Sequence, residues 1–204
     1  MALQEFLAGQ GPEYIGTALA VVSVILIARQ NIFGWPVGIL WAVISAWLAF
    51  TRWHLISDGI LYVSYVPMQL YCWHAWYRHG SAEAMFCPSW LTRRRQVMLL
   101  LCAIVAILVW GSGVKFFSQH LTWMTPPALL WRDATTTVLS YFAQFMQAKK
   151  RMENWLGWAI VNVMGIHIYS VQGSVIYAVQ YGFFLILGLY GWWSWQQSMK
   201  KALP

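Results

Sequence analysis

Long uncharged apolar stretches recur along the chain, separated by short polar or basic segments. A helix needs about 20 residues to cross the hydrocarbon core of a bilayer. The pattern therefore predicts seven transmembrane helices, at approximately 12–29, 32–51, 57–77, 95–114, 130–148, 155–171 and 174–196. Gln172 and Gly173 should form the turn that divides the last run, because Gly permits the backbone angles of a tight turn.

The composition supports an integral membrane protein. Of the 204 residues, 60% are apolar and only 9% are charged, whereas soluble domains carry about 25% charged residues. The formal net charge of +7 does not indicate nucleic-acid binding, because the basic residues form short clusters between the spans. Cys72, Cys87 and Cys102 lack the spacing of a zinc site or a disulfide framework. We predict no metal and no cofactor.

The basic clusters also predict the orientation. With the N-terminus outside, ten of the thirteen Lys and Arg fall in inner loops, which is the bias of cytoplasmic segments. An odd number of spans then places the C-terminus in the cytoplasm. The first 16 residues contain no basic residue, so we predict no cleaved signal peptide. Apolar helical spans of this kind indicate an inner rather than an outer membrane, since outer-membrane proteins are β-barrels.

Two short matches indicate an internal repeat. Residues 31–38 (NIFGWPVG) match 154–161 (NWLGWAIV), which aligns Trp35 with Trp158. Residues 70–77 (LYCWHAWY) match 189–196 (LYGWWSWQ), which aligns Trp76 with Trp195. The predicted fold is all-α, with a parallel 3+1+3 repeat divided into 1–78, a loop and linker helix at 79–125, and 126–204. Transporters with such repeats bind substrate between the halves, although a duplicated membrane enzyme or scaffold would show the same pattern.

Polar side chains recur on helix faces near the predicted midplane. Ser140 and Gln144 share a face in span five, and Trp158 and Asn162 share one in span six. Pro67 should kink span three just before Gln69. Such residues also form structural hydrogen bonds between membrane helices. The candidate substrate-binding residues from these faces and from the repeat are Trp35, Gln69, Thr137, Ser140, Gln144, Trp158, Asn162, Tyr177 and Gln180.

The missing residue types restrict the cargo. No mid-membrane Lys or Arg is predicted that could pair with a phosphate or carboxylate, and no carboxylate that could relay a proton. Amides and indoles instead favour a small hydroxylated molecule with a flat neutral or cationic ring, such as a nucleoside. A small membrane enzyme acting on lipid headgroups is a different possibility, with His54, Asp58 and Asp133 as its available catalytic groups. A structural partner of a larger complex is a third.

The stretches WLGWAIVN (155–162), DATTT (133–137) and YAVQY (177–181) resemble the PnuC family of bacterial vitamin transporters. The resemblance implies a SWEET-like fold, a homotrimer, and Trp155, Trp158 and Asn162 as motif positions in the binding site. It also implies facilitated diffusion of nicotinamide riboside, followed by trapping through cytoplasmic phosphorylation, and no enzymatic activity. Members of the family also carry thiamine or riboflavin, so both remain alternative cargoes.

Overall fold

The computed structural model describes residues 11–51, 56–80, 87–121, 129–171, 173 and 175–202. These residues form seven α-helices, which we number in chain order. They are α1 (Gly11–Ala28), α2 (Gly34–Thr51), α3 (Ile56–Gly80), α4 (Arg93–His120), α5 (Leu130–Ala148), α6 (Glu153–Val171) and α7 (Val175–Ala202). Each helix overlaps one predicted span, so the prediction of an all-α protein with seven helices is confirmed.

Three of the described helices, α1, α2 and α4, are long and apolar enough to cross a membrane by length and composition alone. The other four contain more polar side chains. Several of these, including Gln69, Ser140 and Asn162, are buried. Polar groups in a membrane helix are stabilised when they face other helices rather than lipid, which explains the lower apolarity of these four.

The helices form two similar groups of three. In the first group α2 packs against α1 and α3, and in the second α6 packs against α5 and α7. The groups join where α3 meets α5 and where α7 meets α1, while α4 packs against α5. Hydrogen bonds join the C-terminal ends of α1, α3, α5 and α7. We call this side the basic end, because Arg29, Arg78, Lys149 and Lys200 lie there.

The backbone fixes the register of the repeat at the basic end. Gln30 and Lys150 both have left-handed backbones, with φ of 57° and 47°. The Gln30 N–H donates to Ile27 O at 2.9 Å, and the Lys150 N–H donates to Gln147 O at 3.1 Å. Residues 120 positions apart are therefore equivalent here, which pairs Trp35 with Trp155.

The predicted alignment of Trp35 with Trp158 is thus wrong by three residues. Three residues make almost one helical turn, so the incorrect register keeps the same helix face and preserves the apparent match. The other predicted alignment, of Trp76 with Trp195, agrees with the structure. The Trp76 indole donates to Gln147 O and the Trp195 indole donates to Ile27 O, both at 3.2 Å.

The segment before α4 is bound to the turn between α5 and α6. Ser89 forms an isolated parallel β-bridge with Arg151. Glu153 Oε1 accepts hydrogen bonds from Leu91 N and Gln96 Nε2, both at 2.8 Å. The start of the linker is therefore attached to the second group of helices.

Two predicted backbone features have different outcomes. Gly173 has a φ of 75°, as expected of a tight turn between α6 and α7, while Gln172 lies outside the described residues. Helix α3 continues through Pro67, and the kink there stays a prediction.

Candidate functional site

Four tryptophans meet near the basic end, and we call them the tryptophan layer: Trp35, Trp76, Trp155 and Trp195. Trp35 packs edge-on against Trp76, and Trp155 packs edge-on against Trp195, each pair with ring centroids 5.3 Å apart. Trp76 and Trp195 then meet across the two groups at 6.2 Å. All four side chains are at most 3% exposed. The layer leaves little room for a solute to pass at this end.

Two indole N–H groups of this layer lack a hydrogen-bond acceptor. Trp35 Nε1 and Trp155 Nε1 are buried and have no hydrogen-bond partner among the described residues. An unsatisfied buried donor costs roughly 1–3 kcal/mol. Because these tryptophans are equivalent in the repeat, the cost occurs twice, once in each half. A bound acceptor, or a second arrangement of the layer, would remove it.

A second aromatic group lies toward the opposite end, and we call it the tyrosine layer: Tyr62, Tyr65, Tyr141, Tyr169 and Tyr181. The rings of Tyr65 and Tyr141 lie 5.6 Å apart and connect α3 with α5. Tyr169 stacks on Tyr181 at 5.3 Å and 23°. The Tyr141 hydroxyl is hydrogen-bonded to the Ser64 hydroxyl. Aromatic rings from both groups of helices therefore pack at this level.

No member of the tyrosine layer was among the predicted site residues. The repeat itself contained the signal, because the 119-residue separation that relates Trp76 to Trp195 also relates Tyr62 to Tyr181. Each of these tyrosines precedes its tryptophan by 14 residues, or about 21 Å of helix. Helices α3 and α7 thus each carry a tyrosine at one end and a tryptophan at the other end of an equivalent 14-residue segment.

Three of the predicted polar residues are buried, with Ser140 at the tyrosine layer and Gln144 and Asn162 between the two layers. Ser140, Gln144 and Asn162 are only 5%, 5% and 6% exposed. Ser140 Oγ donates to Thr136 O at 2.7 Å in its own helix, and its hydroxyl is also hydrogen-bonded to that of Tyr65. Asn162 lies on α6 between Trp155 and Tyr169 along the helix.

Gln69 has a partner in the neighbouring helix. Its side-chain nitrogen donates to Gly38 O at 2.9 Å, which ties α3 to α2. A Cβ at position 38 would lie 2.0 Å from Gln69 Oε1, so the absence of a side chain there makes the contact possible. Gln69 is 4% exposed, and Cys72, about one turn further along α3, contacts Gln144 O at 3.7 Å. The Gln69 amide nitrogen is therefore engaged in a hydrogen bond between α3 and α2.

The remaining candidates lie around these residues. Trp158 is half-buried and packs against the tryptophan layer. Thr137 and Gln180 are half-buried on α5 and α7. Tyr177 is 44% exposed at the opposite end, where its ring lies 5.1 Å from that of Tyr169. Ser140, Gln144 and Asn162 are thus buried on the neighbouring helices α5 and α6, while Trp158 lies toward the basic end and Tyr177 and Gln180 lie toward the opposite end.

Charge is excluded from the central region. Every Asp, Glu, Lys and Arg in the described part of the chain lies near a helix end or in a connection. The described residues also contain no cluster of His, Cys, Asp or Glu suited to a metal ion. Of the catalytic groups considered for a lipid enzyme, Asp133 lies in the first turn of α5. His54 and the Asp58 side chain lie outside the described residues.

At the basic end, the Lys150 ammonium is partly buried. Lys150 Nζ donates to Gln30 Oε1 at 2.9 Å and lies 4.8 Å from the centre of the Trp76 ring. Gln30 Nε2 in turn donates to Ser198 Oγ at 2.8 Å. Burial lowers the pKa of Lys150 below its ordinary value. These contacts join the two groups of helices directly beside the tryptophan layer.

The fold is similar to that of a solved transporter. The crystal structure of the vitamin B3 transporter PnuC superimposes with a TM-score of 0.73, covering 98% of this chain and 87% of that one, at 20% sequence identity. This likeness shows that the seven-helix arrangement, with its two groups of three, is shared with that protein.

Similar sequences are named as vitamin transporters. The nicotinamide riboside transporter PnuC of Escherichia coli strain K12 is 24% identical over 93% of this chain and 86% of its own length. The riboflavin/roseoflavin transporter RibM of Streptomyces davaonensis is 22% identical over 89% and 84%. Residues 11–197 match the model of the nicotinamide mononucleotide transporter family. The chain belongs to this family.

Proposed function

We propose that the protein carries nicotinamide riboside into the cell by facilitated diffusion. Family membership and the PnuC relatives support a vitamin cargo. Facilitated diffusion fits the described residues, whose central region contains no carboxylate that could relay a proton. Phosphorylation of the riboside by a separate cytoplasmic enzyme would trap it, because the product is anionic.

The observation that carries the proposal is the set of buried polar groups at and between the two aromatic layers. Ser140, Gln144 and Asn162 are each at least 94% buried, and amides and hydroxyls can bond ribose hydroxyls or a carboxamide in both directions. A pyridinium ring is attracted to indole and phenol faces through cation–π interactions. Neither a phosphate nor a carboxylate would find a charged partner at this depth.

We assign the roles in the site from these positions. Asn162 would bond the cargo directly, and Ser140 and Gln144 would bond its hydroxyls from α5. Trp158 would contact the ring from the side of the tryptophan layer. Trp155 and Trp35, with their unsatisfied indole N–H groups, would contact the cargo when that layer opens. The residues proposed to contribute on other faces are Gln69, Thr137, Tyr177 and Gln180.

Alternating access would follow from the two groups of three helices. Residues 1–78 and 126–204 would rock against each other, with the linker region 79–125 attached to the second unit through Glu153. We place the basic end in the cytoplasm, because cytoplasmic loops carry an excess of Lys and Arg. In the inner membrane, the tryptophan layer would then be the gate on the cytoplasmic side. The tyrosine layer would be the gate on the opposite side.

The RibM relative supports a second candidate cargo, riboflavin. Its three-ring system is larger than a pyridinium and carries no charge, so it depends on stacking and on amide hydrogen bonds. Thiamine is the other alternative, since it is cationic and aromatic but has no ribose. Nicotinamide riboside, riboflavin and thiamine would all stack on the same aromatic layers. The size of the space between these layers would select which of them binds.

Calorimetric titration of the detergent-purified protein tests the cargo. We expect saturable binding of nicotinamide riboside and none of nicotinamide mononucleotide, because the phosphate finds no cation between the layers. Binding of riboflavin or thiamine alone would replace the riboside as the cargo. Failure of a folded sample to bind any of these vitamins would contradict the proposal.

Asn162→Ala tests the site in cells that lack other riboside transporters. The variant should insert normally and lose at least tenfold in uptake of labelled riboside. Asn154→Ala is the matched control, because Asn154 donates to Arg151 O at 2.6 Å in a turn and lies outside the central region. Wild-type uptake by the Asn162 variant would refute its assignment.

A further inference from the structure

Helices α6 and α7 present matching faces to each other. Trp155, Asn162 and Tyr169 recur every seven residues on one face of α6, and Tyr181, Gly188 and Trp195 recur every seven residues on one face of α7. The outer members of the two sets touch, because Trp155 packs against Trp195 and Tyr169 stacks on Tyr181. The central members, Asn162 and Gly188, therefore lie between two aromatic contacts.

Further contacts place these central residues at one depth. The Trp155 ring lies 2.2 Å from a Cβ built at Gly191, and the Tyr181 ring lies 2.4 Å from a Cβ built at Gly165. Asn162 lies between Trp155 and Gly165 along α6, and Gly188 lies between Tyr181 and Gly191 along α7. Because the helices are antiparallel neighbours, Asn162 and Gly188 occupy the same level.

A gap exists at this level. Gly188 is buried, yet a Cβ added to it would meet no atom within 4 Å. The facing Asn162 side chain is 6% exposed. Protein interiors are normally close-packed. An open buried space beside a polar side chain therefore indicates room for a bound molecule.

The first half of the chain differs at the equivalent position. The 119-residue separation relates Gly188 to Gln69, whose amide is bonded to Gly38 O. A side chain fills this level on α3, whereas α7 leaves it open. The space therefore lies on the α7 side of the site, where Asn162 bounds it.

We propose that Gly188 provides the space in which the flat ring of the cargo lies against α7, and that this residue sets the size of ring that the protein accepts. The inference rests on the proposed transport of a ring-bearing vitamin and names the position that selects among such vitamins. Asn162 would bond a polar substituent of the ring, and Tyr169 and Trp155 would bound the space above and below it. A single pyridinium ring needs less of this space than the three rings of riboflavin.

Substitutions of growing size test the assignment in the full-length purified protein. We expect Gly188→Ala to weaken riboside binding about threefold and Gly188→Leu to weaken it at least thirtyfold, while the melting temperature stays unchanged because the new atoms enter open space. Gly182→Leu is the matched control, since position 182 also meets nothing within 4 Å. It lies on the face of α7 that carries the exposed Ile186 and Leu189. Equal affinity of the Gly188→Leu and Gly182→Leu proteins would overturn the inference and leave the proposed function intact.

A second measurement does not depend on the cargo. Gly188→Cys and Gly182→Cys are treated with the small cation 2-aminoethyl methanethiosulfonate, and mass spectrometry locates the adduct. We expect a cysteine at 188 to react at least tenfold faster than one at 182, because thiolates form in a hydrated cavity and not in lipid. Equal rates would overturn the inference even if Gly188→Leu failed to fold. Protection of position 188 by the riboside supports the cargo, and protection by riboflavin alone would assign the same space to that vitamin.

Discussion

Lys150 donates a hydrogen bond to Gln30 across the two halves of the protein, with 2.9 Å between Nζ and Oε1. The two residues are equivalent in the repeat, and both have left-handed backbones. That conformation costs a residue with a side chain roughly 1–2 kcal/mol, so glycine would be the favoured residue in either turn. The side chains present there instead connect the halves beside the tryptophan layer.

Gln30→Gly should relieve the backbone strain and yet loosen the basic end. The variant keeps the turn but removes Oε1, the acceptor of the Lys150 bond. Hydrogen bonds to charged groups contribute about 1.5–3 kcal/mol, so we expect at least tenfold faster amide exchange in residues 149–155. Lys149→Ala is the control, because Lys149 contacts Phe145 within the same half. Unchanged exchange in the Gln30 variant would show that the bond does not hold the halves together.

The buried ammonium of Lys150 predicts a pH dependence of stability. Because burial lowers its pKa from 10.5, the unfolded chain binds more protons than the folded chain between the lowered pKa and pH 10.5. Stability from this group therefore rises with pH through that window and is lost as pH falls through the folded pKa. Thermal unfolding of the wild type from pH 8 upward should show this rise relative to Lys150→Met. Parallel curves for the two proteins would mean that the ammonium is not desolvated.

Trp76→Phe and Trp195→Phe should destabilise the protein by similar amounts. Each indole donates at 3.2 Å to a carbonyl at the end of a helix in the other half. Removing the donor leaves a buried acceptor unsatisfied, at a cost of about 1–3 kcal/mol. Trp193→Phe should change little, because Trp193 is 56% exposed. Unfolding titrations in mixed detergent measure all three, and a loss confined to one of the first two would contradict their equivalence.

The sequence predicted the helices and the buried polar residues because both depend on the period of a single helix. The apolar stretches located all seven helices, and the spacing of Ser140 and Gln144 placed them on one buried face. The repeat register at Trp35 was harder, since chance identities three residues away outweighed the true match. The meeting of Tyr65 with Tyr141 could not be predicted, because it depends on how α3 packs against α5 and on no pattern within either helix.

Two glycine-to-alanine changes on α7 should have opposite effects on stability. A Cβ at Gly191 would lie 2.2 Å from the Trp155 ring, and that ring is 2% exposed and fixed against Trp195. Gly191→Ala must therefore displace the tryptophan layer, and overpacking of this kind costs about 1–3 kcal/mol.

Gly182→Ala places its methyl group in open space, so it should gain up to about 1 kcal/mol from the higher helix propensity of alanine. Thermal unfolding of both variants under one set of detergent conditions gives the comparison. If Gly191→Ala were as stable as Gly182→Ala, Trp155 would have to move freely. The tryptophan layer could not then close the basic end.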